Sequence, residues 1–215
     1  MAKEIVNKVT IVGCGPGSKK YLTGYALQQI NSAEVLIGSR RLLSLFPDVD
    51  ADTFILSNNY KLLITRIESL RKSKKVVVLV SGDTGFFSYA KLIIDKIGIE
   101  SCEVIPVISS VQLAFAKIGR TWNDACFMSV HGRIGKLAAV VKKITENEKV
   151  AVLTDNANNV RLIARKLLDA GLKDRKIYVC ENLSLENERI REFDVSSILK
   201  IQVKDLNVII FLDED

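Results

Sequence analysis

Apolar and polar residues follow two different periods along this chain. Runs of four or five consecutive apolar residues, such as VVVLV at residues 76–80, indicate strands buried on both faces of a sheet. Between such runs, apolar residues recur every three or four positions, which is the spacing of amphipathic helices. The alternation predicts an α/β fold with parallel strands. The last two strands, near residues 189–193 and 207–212, are predicted to be antiparallel around a short helix near Ser197.

The chain divides into two halves of similar size. The first half alternates helical segments with strand-like runs near residues 9–12, 35–37, 53–56, 76–80 and 103–105. The polar, turn-like segment GRTWND at residues 119–124 then interrupts the pattern. We therefore predict an N-terminal α/β domain at residues 1–120 and a C-terminal α/β domain at residues 121–215.

Two glycine-containing loops follow predicted strands and carry the candidate chemistry. The first is GCGPG at residues 13–17, and the second is SGDTGFF at residues 81–87. Glycine permits positive φ angles and a close approach of a ligand or of another backbone segment. Ligands of open α/β sheets bind beyond the carboxyl ends of the strands. We therefore expect the two loops to face each other beside a small molecule, although Asp83 alone would also suit a helix N-cap.

The glycine pattern differs from that of Rossmann folds. In a dinucleotide-binding Gly-x-Gly-x-x-Gly loop the third glycine would stand where this chain has Ser18, and Pro16 lacks a backbone N–H for a phosphate. The second apolar run ends in Gly38, where a ribose-binding carboxylate is expected. Ile11 and Val12 precede the first glycine, whereas Rossmann-type methyltransferases have an acidic residue there. Both classes are therefore disfavoured.

Composition and charge narrow the class of protein. The chain starts without an apolar signal segment, and its apolar runs are shorter than the roughly 20 residues of a membrane span, so we expect a cytoplasmic protein. Four scattered cysteines and one histidine predict no metal site. The net charge of +6 weakly favours an anionic partner. A basic RNA-binding module stays an alternative, although its basic stretches would lack interleaved aromatic residues.

Six motifs are spread in order over almost the whole chain. The first half contains VGCGPGSKKYLT at residues 12–23, SGDTGFFS at 81–88 and ISSVQ at 108–112. The second half contains SVHGR at residues 129–133, VLTDN at 152–156 and CENLSLENERI at 180–190. Together they resemble the tetrapyrrole methylases, which use S-adenosylmethionine and are distinct from Rossmann-type methyltransferases. The second set is most similar to members that methylate C5 of a corrin precursor, cobalt-precorrin-7, in cobalamin (vitamin B12) biosynthesis.

The resemblance implies a two-domain fold with a cleft in which S-adenosylmethionine is held largely by backbone groups. It assigns to this donor Pro16, Ser81, Gly82, Asp83, Phe86, Ser109, Ser110, Leu153, Thr154, Asn182 and Leu183. It also implies an anionic corrin substrate, a homodimer, and a separate protein for the C15 step that some relatives carry out with a fused domain. Thr84 departs from the family, which usually has proline there. Members that act on uroporphyrinogen, diphthine or ribosomal RNA stay alternatives.

The implied reaction depends on alignment more than on side-chain chemistry. A sulfonium is already a strong electrophile, and positioning of reactants can contribute roughly 7–11 kcal/mol. A proton must still leave C5, and we assign Asp83 and His131 as catalytic, with Glu181 and water as further candidates. His131 alone would also suit a structural hydrogen bond. Arginines next to turns are the expected anchors for substrate carboxylates, namely Arg40, Arg41, Arg120 and Arg133.

Overall fold

A computed structural model describes residues 7–56, 60–130, 137–155, 159–203 and 207–213 of the chain. The protein consists of two compact units, Met1–Ser109 and Ser110–Asp215. Each unit contains one five-stranded sheet with helices, so the predicted α/β class is confirmed. Within the described residues, no helix is long and apolar enough to span a bilayer.

The sheet of the first unit is entirely parallel. Its strands are β1 (Val9–Gly13), β2 (Val35–Gly38), β3 (Asp52–Ile55), β4 (Val76–Val80) and β5 (Cys102–Ile105). Their order across the sheet is β3-β2-β4-β1-β5, which puts β1 and β4 side by side. Every residue of β1 and β4 is buried, as the continuous apolar runs predicted.

Helices cover both faces of this sheet. They are α1 (Gly24–Asn31), α2 (Arg40–Leu43), α3 (Tyr60–Leu70) and α4 (Ala90–Ile97). Because successive residues of a strand face opposite ways, Val78 packs with Ile67 of α3 on one face, and Leu79 packs with Leu42 of α2 on the other. Helix α1 begins at Gly24, because the Thr23 side chain accepts a hydrogen bond from Ala26 N–H in its first turn.

The sheet of the second unit is mixed. Its strands are β6 (Cys126–Ser129), β7 (Lys149–Leu153), β8 (Arg175–Glu181), β9 (Arg189–Phe193) and β10 (Asn207–Asp213), and its helices are α5 (Ser110–Lys117), α6 (Leu137–Glu146) and α7 (Val160–Asp169). Their order is β6-β7-β10-β8-β9, and only β6 and β7 pair in parallel. The two strands predicted near the end of the chain are confirmed, and each pairs antiparallel with β8 and not with the other. The parallel arrangement predicted elsewhere holds only for the first sheet and the β6–β7 pair.

Two local features explain the arrangement of the second unit. The link between β8 and β9 is too short for the crossover that parallel strands need, so the pair forms a hairpin. Helix α5 contacts β10 and therefore belongs to this unit, although the sequence analysis placed it before the domain boundary.

Candidate functional site

The two glycine loops meet at the carboxyl edge of the first sheet. They emerge from neighbouring strands, and the backbone continues their pairing: Gly15 N–H donates to Gly82 O at 3.1 Å, and Gly82 N–H donates to Gly15 O at 3.2 Å. Just before this bridge, Cys14 N–H donates to Val80 O at 2.8 Å. The structure therefore brings together the two loops that the sequence singled out.

Glycine is required at this junction for two reasons. Gly15 and Gly82 have φ angles of +67° and +68°, a conformation that L side chains rarely adopt. At Gly13 the limit is space, because an added Cβ would lie 2.7 Å from Val107 Cγ1 and 2.8 Å from Gly82 O. A Cβ on Gly82, in contrast, would meet nothing within 4 Å. The loops therefore pack tightly against each other at Gly13, while the Gly82 backbone stays open to an approaching molecule.

Asp83 connects the second glycine loop to the loop after β5. Its Oδ1 accepts a hydrogen bond from Gly85 N–H at 2.8 Å, and its Oδ2 accepts one from Val107 N–H at 3.0 Å. The carboxylate thus holds the backbone of both loops, as a charged acceptor does at a helix or turn start. These contacts give Asp83 a positioning role, and its part in proton removal stays a prediction.

Arg41 approaches the same loop from the end of β2. Its Nη2 donates to Ser81 Oγ at 3.0 Å. Burial lowers the pKa of the Arg41 guanidinium from its usual value, since the charged form is partly desolvated. Burial also raises the pKa of the nearby Cys14 thiol to about 12, so this thiol is protonated at neutral pH. Of these two groups only Arg41 is charged, and it contacts the loop that is predicted to hold the donor.

The remaining predicted residues of the first unit lie around this junction. Pro16 occupies the turn between Gly15 and Gly17. Phe86 packs edge-on against Phe87, with ring centroids 4.7 Å apart. Phe87 itself is exposed and has a φ of +49°, which strains a side chain of this size. Apolar rings therefore border the loop on its solvent side.

The segment after β5 completes this edge. Ser109 is buried directly before α5, in the N-cap position, and Ser110 is the first residue of that helix. The Ile108 carbonyl oxygen lies 3.4 Å from where a Gly15 Cβ would stand. Three loops of the first sheet therefore converge at one edge.

In the second unit, the predicted residues lie at one edge of the mixed sheet. Strands β7 and β8 both run antiparallel to β10, and β10 begins opposite Leu153 and Glu181, the ends of those two strands. Buried Thr154 donates from Oγ1 to Asn207 Oδ1 at 2.6 Å. Asn182 follows β8 with a φ of +50°. The pairing therefore places the two predicted segments on either side of the start of β10.

Leu183 and its neighbours form a fixed turn after β8. Leu183 is buried, and Ser184 has a φ of +71°. Ser184 N–H donates to Glu188 Oε2 at 2.7 Å, and Glu188 pairs with Lys117 at 2.6 Å. A charged acceptor thus offsets part of the backbone strain.

Glu181 has a structural role that the sequence analysis missed. Its carboxylate is fully buried and accepts hydrogen bonds from Arg189 Nε at 2.8 Å and from Arg191 Nη2 at 3.0 Å. Arg189 Nη2 also donates to the second carboxylate oxygen, which makes that pair bidentate. Because both oxygens are held by guanidinium groups, the interpretation of Glu181 as a proton acceptor was wrong. The signal in the sequence was the Arg-x-Arg alternation, which places both arginines on one face of a strand.

His131, the second predicted catalytic residue, lies outside the described residues, as do Arg133 and Asn156. Of the other predicted anchors, Arg40 and Arg120 are exposed. The described part of the site therefore singles out Arg41 among the arginines.

Comparison with known proteins places these features in a family. The family of tetrapyrrole (corrin/porphyrin) methylases matches residues 8–199. The cobalt-precorrin-7 C(5)-methyltransferase of Salmonella typhimurium is 35% identical over 206 residues, which cover 96% of this chain and 99% of the relative. A crystal structure of a cobalamin biosynthesis precorrin-6Y methylase from Archaeoglobus fulgidus has 26% identity and a TM-score of 0.72, covering 97% of this chain and 98% of that one.

A further solved structure has the same fold with a bound ligand. The uroporphyrin-III C-methyltransferase of Thermus thermophilus, complexed with S-adenosylhomocysteine, is 22% identical, with a TM-score of 0.75, and covers 96% of this chain and 97% of that one. The fold, the order of the motifs and these matches agree over almost the whole sequence. The chain belongs to the family of tetrapyrrole (corrin/porphyrin) methylases.

Proposed function

We propose that this protein transfers a methyl group from S-adenosylmethionine to C5 of cobalt-precorrin-7, a corrin precursor, in cobalamin biosynthesis. The proposal depends on the 35% identity with the Salmonella C5-methyltransferase, because the match covers 96% of this chain and 99% of that enzyme. The same match argues against the basic RNA-binding module, because the relative that this chain covers almost end to end is named as a methyltransferase of a corrin precursor.

The carboxyl edge of the first sheet supports a donor site held by backbone groups. Bound S-adenosylmethionine supplies a methyl group that is already electrophilic, so the protein must chiefly bind and orient the reactants. The open space above Gly82 lets a ligand reach the main chain, and the glycine bridge together with Asp83 fixes the loop before binding. The residues of this unit that we assign to the donor are Pro16, Ser81, Gly82, Asp83, Phe86 and Ser109. Such preorganisation lowers the entropy lost on binding.

Removal of the C5 proton is the second task of the site. Asp83 and His131 are the two assigned residues, and Asp83 already accepts backbone N–H groups with both oxygens. We therefore assign the alignment of the loops to Asp83, and the proton acceptor is proposed among Asp83, His131 and water. A neutral imidazole accepts a proton readily near pH 7.

The proposed partners follow from the family and from the Salmonella relative. That relative's name gives methylation at C5 alone, so we propose that a separate protein performs the C15 step. We also propose a homodimer, on the family resemblance. Light scattering coupled to size-exclusion chromatography would give about twice the 23.9 kDa mass of one chain for a dimer.

The deciding experiment is a methyl-transfer assay with defined precursors. The purified protein is incubated with S-adenosylmethionine labelled with ¹³C in its methyl group and with cobalt-precorrin-7, its metal-free counterpart, or uroporphyrinogen III. We expect NMR to show one labelled methyl group, at C5 of a corrin precursor. Label only in uroporphyrinogen, or only in added RNA or protein, would overturn the proposal. The metal-free arm shows whether cobalt is required.

A further inference from the structure

Arg41 occupies an unusual position for an arginine of this chain. It lies in the first turn after β2, and β2 neighbours β4 in the sheet, so its side chain reaches the loop that follows β4. There its Nη2 donates to Ser81 Oγ at 3.0 Å. The guanidinium is therefore held at the edge where the donor is predicted to bind.

The charge of Arg41 is not balanced by an acid among the described residues. None of the ion pairs found there includes Arg41. The carboxylate of the nearby loop, Asp83, is directed to backbone N–H groups, and the adjacent Cys14 thiol is uncharged at neutral pH. A guanidinium has five N–H donors, and Ser81 accepts from one of them.

Three arginines of the second unit differ in this respect, whereas half-buried Arg71 of the first unit donates to the Asn7 carbonyl oxygen and, like Arg41, takes part in none of these ion pairs. Arg189 and Arg191 share the buried Glu181 carboxylate, and Arg175 pairs with Asp213. Desolvating a charge is unfavourable unless a partner compensates for it. A half-buried arginine without an acidic partner is therefore suited to a partner that arrives with the ligand.

We propose that the Arg41 guanidinium, oriented by Ser81, binds a carboxylate of one of the two reactants. This inference rests on the proposed function, because both reactants carry carboxylates: the methionine part of S-adenosylmethionine has one, and the side chains of a corrin precursor have several. A guanidinium binds a carboxylate through two parallel N–H···O bonds, which fix orientation as well as affinity. Arg41 would thereby help to align methyl donor and acceptor.

The test starts with the unchanged protein, so that failure of the proposed function is recognised separately. Wild-type protein must bind S-adenosylhomocysteine in calorimetry and must methylate a corrin precursor; if it does neither, the proposed function fails before Arg41 is examined. The variants are then Arg41→Ala, Arg41→Lys, and Arg66→Ala as the matched control. Arg66 is exposed on α3, stacks on Phe54 and lies on the opposite face of the same sheet. The control removes the same charge without touching the site.

Two probes separate the two sources of the carboxylate. S-adenosylhomocysteine has the methionine-type carboxylate, whereas 5′-methylthioadenosine lacks it. If Arg41 binds the carboxylate of the methyl donor, Arg41→Ala lowers the affinity for S-adenosylhomocysteine at least ten-fold and leaves the affinity for 5′-methylthioadenosine unchanged. If Arg41 instead binds a carboxylate of the corrin precursor, the affinity for S-adenosylhomocysteine is unchanged. In that case KM for the corrin precursor rises at least ten-fold, while kcat stays within about three-fold of the wild-type value. The affinity or KM of Arg41→Lys should lie between the wild-type and Arg41→Ala values, since lysine keeps the charge but cannot form two parallel N–H···O bonds.

Two results would overturn the inference. Changes below two-fold in both affinity and KM would show that no carboxylate depends on Arg41. Equal weakening of S-adenosylhomocysteine and 5′-methylthioadenosine in both Arg41 variants would show that the residue only supports the Ser81 loop. If Arg41→Ala does not fold, the same comparison of the two probes is made with Arg41→Lys.

Discussion

The two sheets of this protein stabilise their loop-bearing edges in different ways. In the first sheet, Asp83 accepts hydrogen bonds from backbone N–H groups, and glycines let two loops pair directly. In the second sheet, Glu181 is enclosed by guanidinium groups that come from the neighbouring strand. The loops of the first sheet therefore pack closely because glycines have no side chains, and the edge of the second sheet is held by a buried ion-pair cluster. The difference teaches that an acid at a strand end can organise main chain for a ligand or simply hold a hairpin together.

Removing the buried charge should have the largest effect on stability. Glu181→Gln leaves Arg189 and Arg191 without their acid, and breaking a buried pair costs about 3–5 kcal/mol. The arginine side chains are 48% and 26% exposed, so water compensates in part, and we expect a loss of about 2–3 kcal/mol in urea unfolding.

The matched control lies in the same hairpin. Glu192 pairs with Lys176 across β8 and β9 at 3.0 Å, and both side chains are more than 40% exposed. Glu192→Gln should cost less than about 1 kcal/mol. Equal losses in the two variants would mean that burial does not distinguish the two acids.

Adding one carbon to the first edge should have the next largest effect. In Gly13→Ala the new Cβ meets Val107 and the Gly82 carbonyl, and overpacking of this kind costs about 1–3 kcal/mol. Because the loops would separate, we also expect at least a ten-fold loss of S-adenosylhomocysteine affinity in calorimetry. Gly24→Ala is the control: Gly24 begins α1 with open space around it, so alanine there should be neutral or stabilise by up to about 1 kcal/mol. A neutral Gly13→Ala variant would contradict the tight packing of the loops.

Weakening the Asp83 link should have a smaller effect. Asp83→Asn keeps the shape but turns one acceptor into a donor that faces a backbone N–H, so we expect about 1–2 kcal/mol in stability, measured by urea unfolding, and weaker donor binding, measured by calorimetry. Asp95→Asn, which removes an exposed pair with Lys91 on α4, should cost less than about 0.5 kcal/mol. If Asp83→Asn retained full stability but lost only turnover, Asp83 would be a proton acceptor and not a positioning residue.

The smallest expected effect is the pH dependence of the buried thiols, Cys14 in the first unit and Cys180 in the second, which should respond to pH in the same way. Burial raises the pKa of Cys14 and of Cys180 to about 12, above the usual 9.0. The folded protein therefore holds these protons more tightly than the unfolded chain, so their contribution to stability is full below pH 9 and is lost as pH rises towards 12. At pH 8 a thiol reagent should label half-buried Cys126 first, with Cys14 and Cys180 labelled only in denaturant. Fast labelling of either in the native state would contradict its burial.

Much of this architecture could be predicted from local sequence. The VVVLV run is a fully buried strand, and Gly171, which follows α7 with a φ of +78°, is the residue type that commonly ends a helix. Both glycine loops were identified because turn chemistry is local. The pairing of Glu181 with Arg189 and Arg191 lies within one hairpin and was signalled by the Arg-x-Arg alternation. The contact between Arg41 and Ser81 could not be predicted, because it depends on β2 and β4 becoming neighbours. Strand order is set by packing over long separations and leaves little trace in any single segment.

The position of β10 has a consequence for how the protein is made. This strand follows all others of its sheet in the sequence, yet it lies between β7 and β8 at the centre. A nascent chain can therefore not close the second sheet until residues 207–213 have left the ribosome, whereas all strands of the first sheet precede residue 106. During translation the first unit can acquire its structure while the second still exposes unpaired strand edges, and that interval is when a chaperone would be needed most.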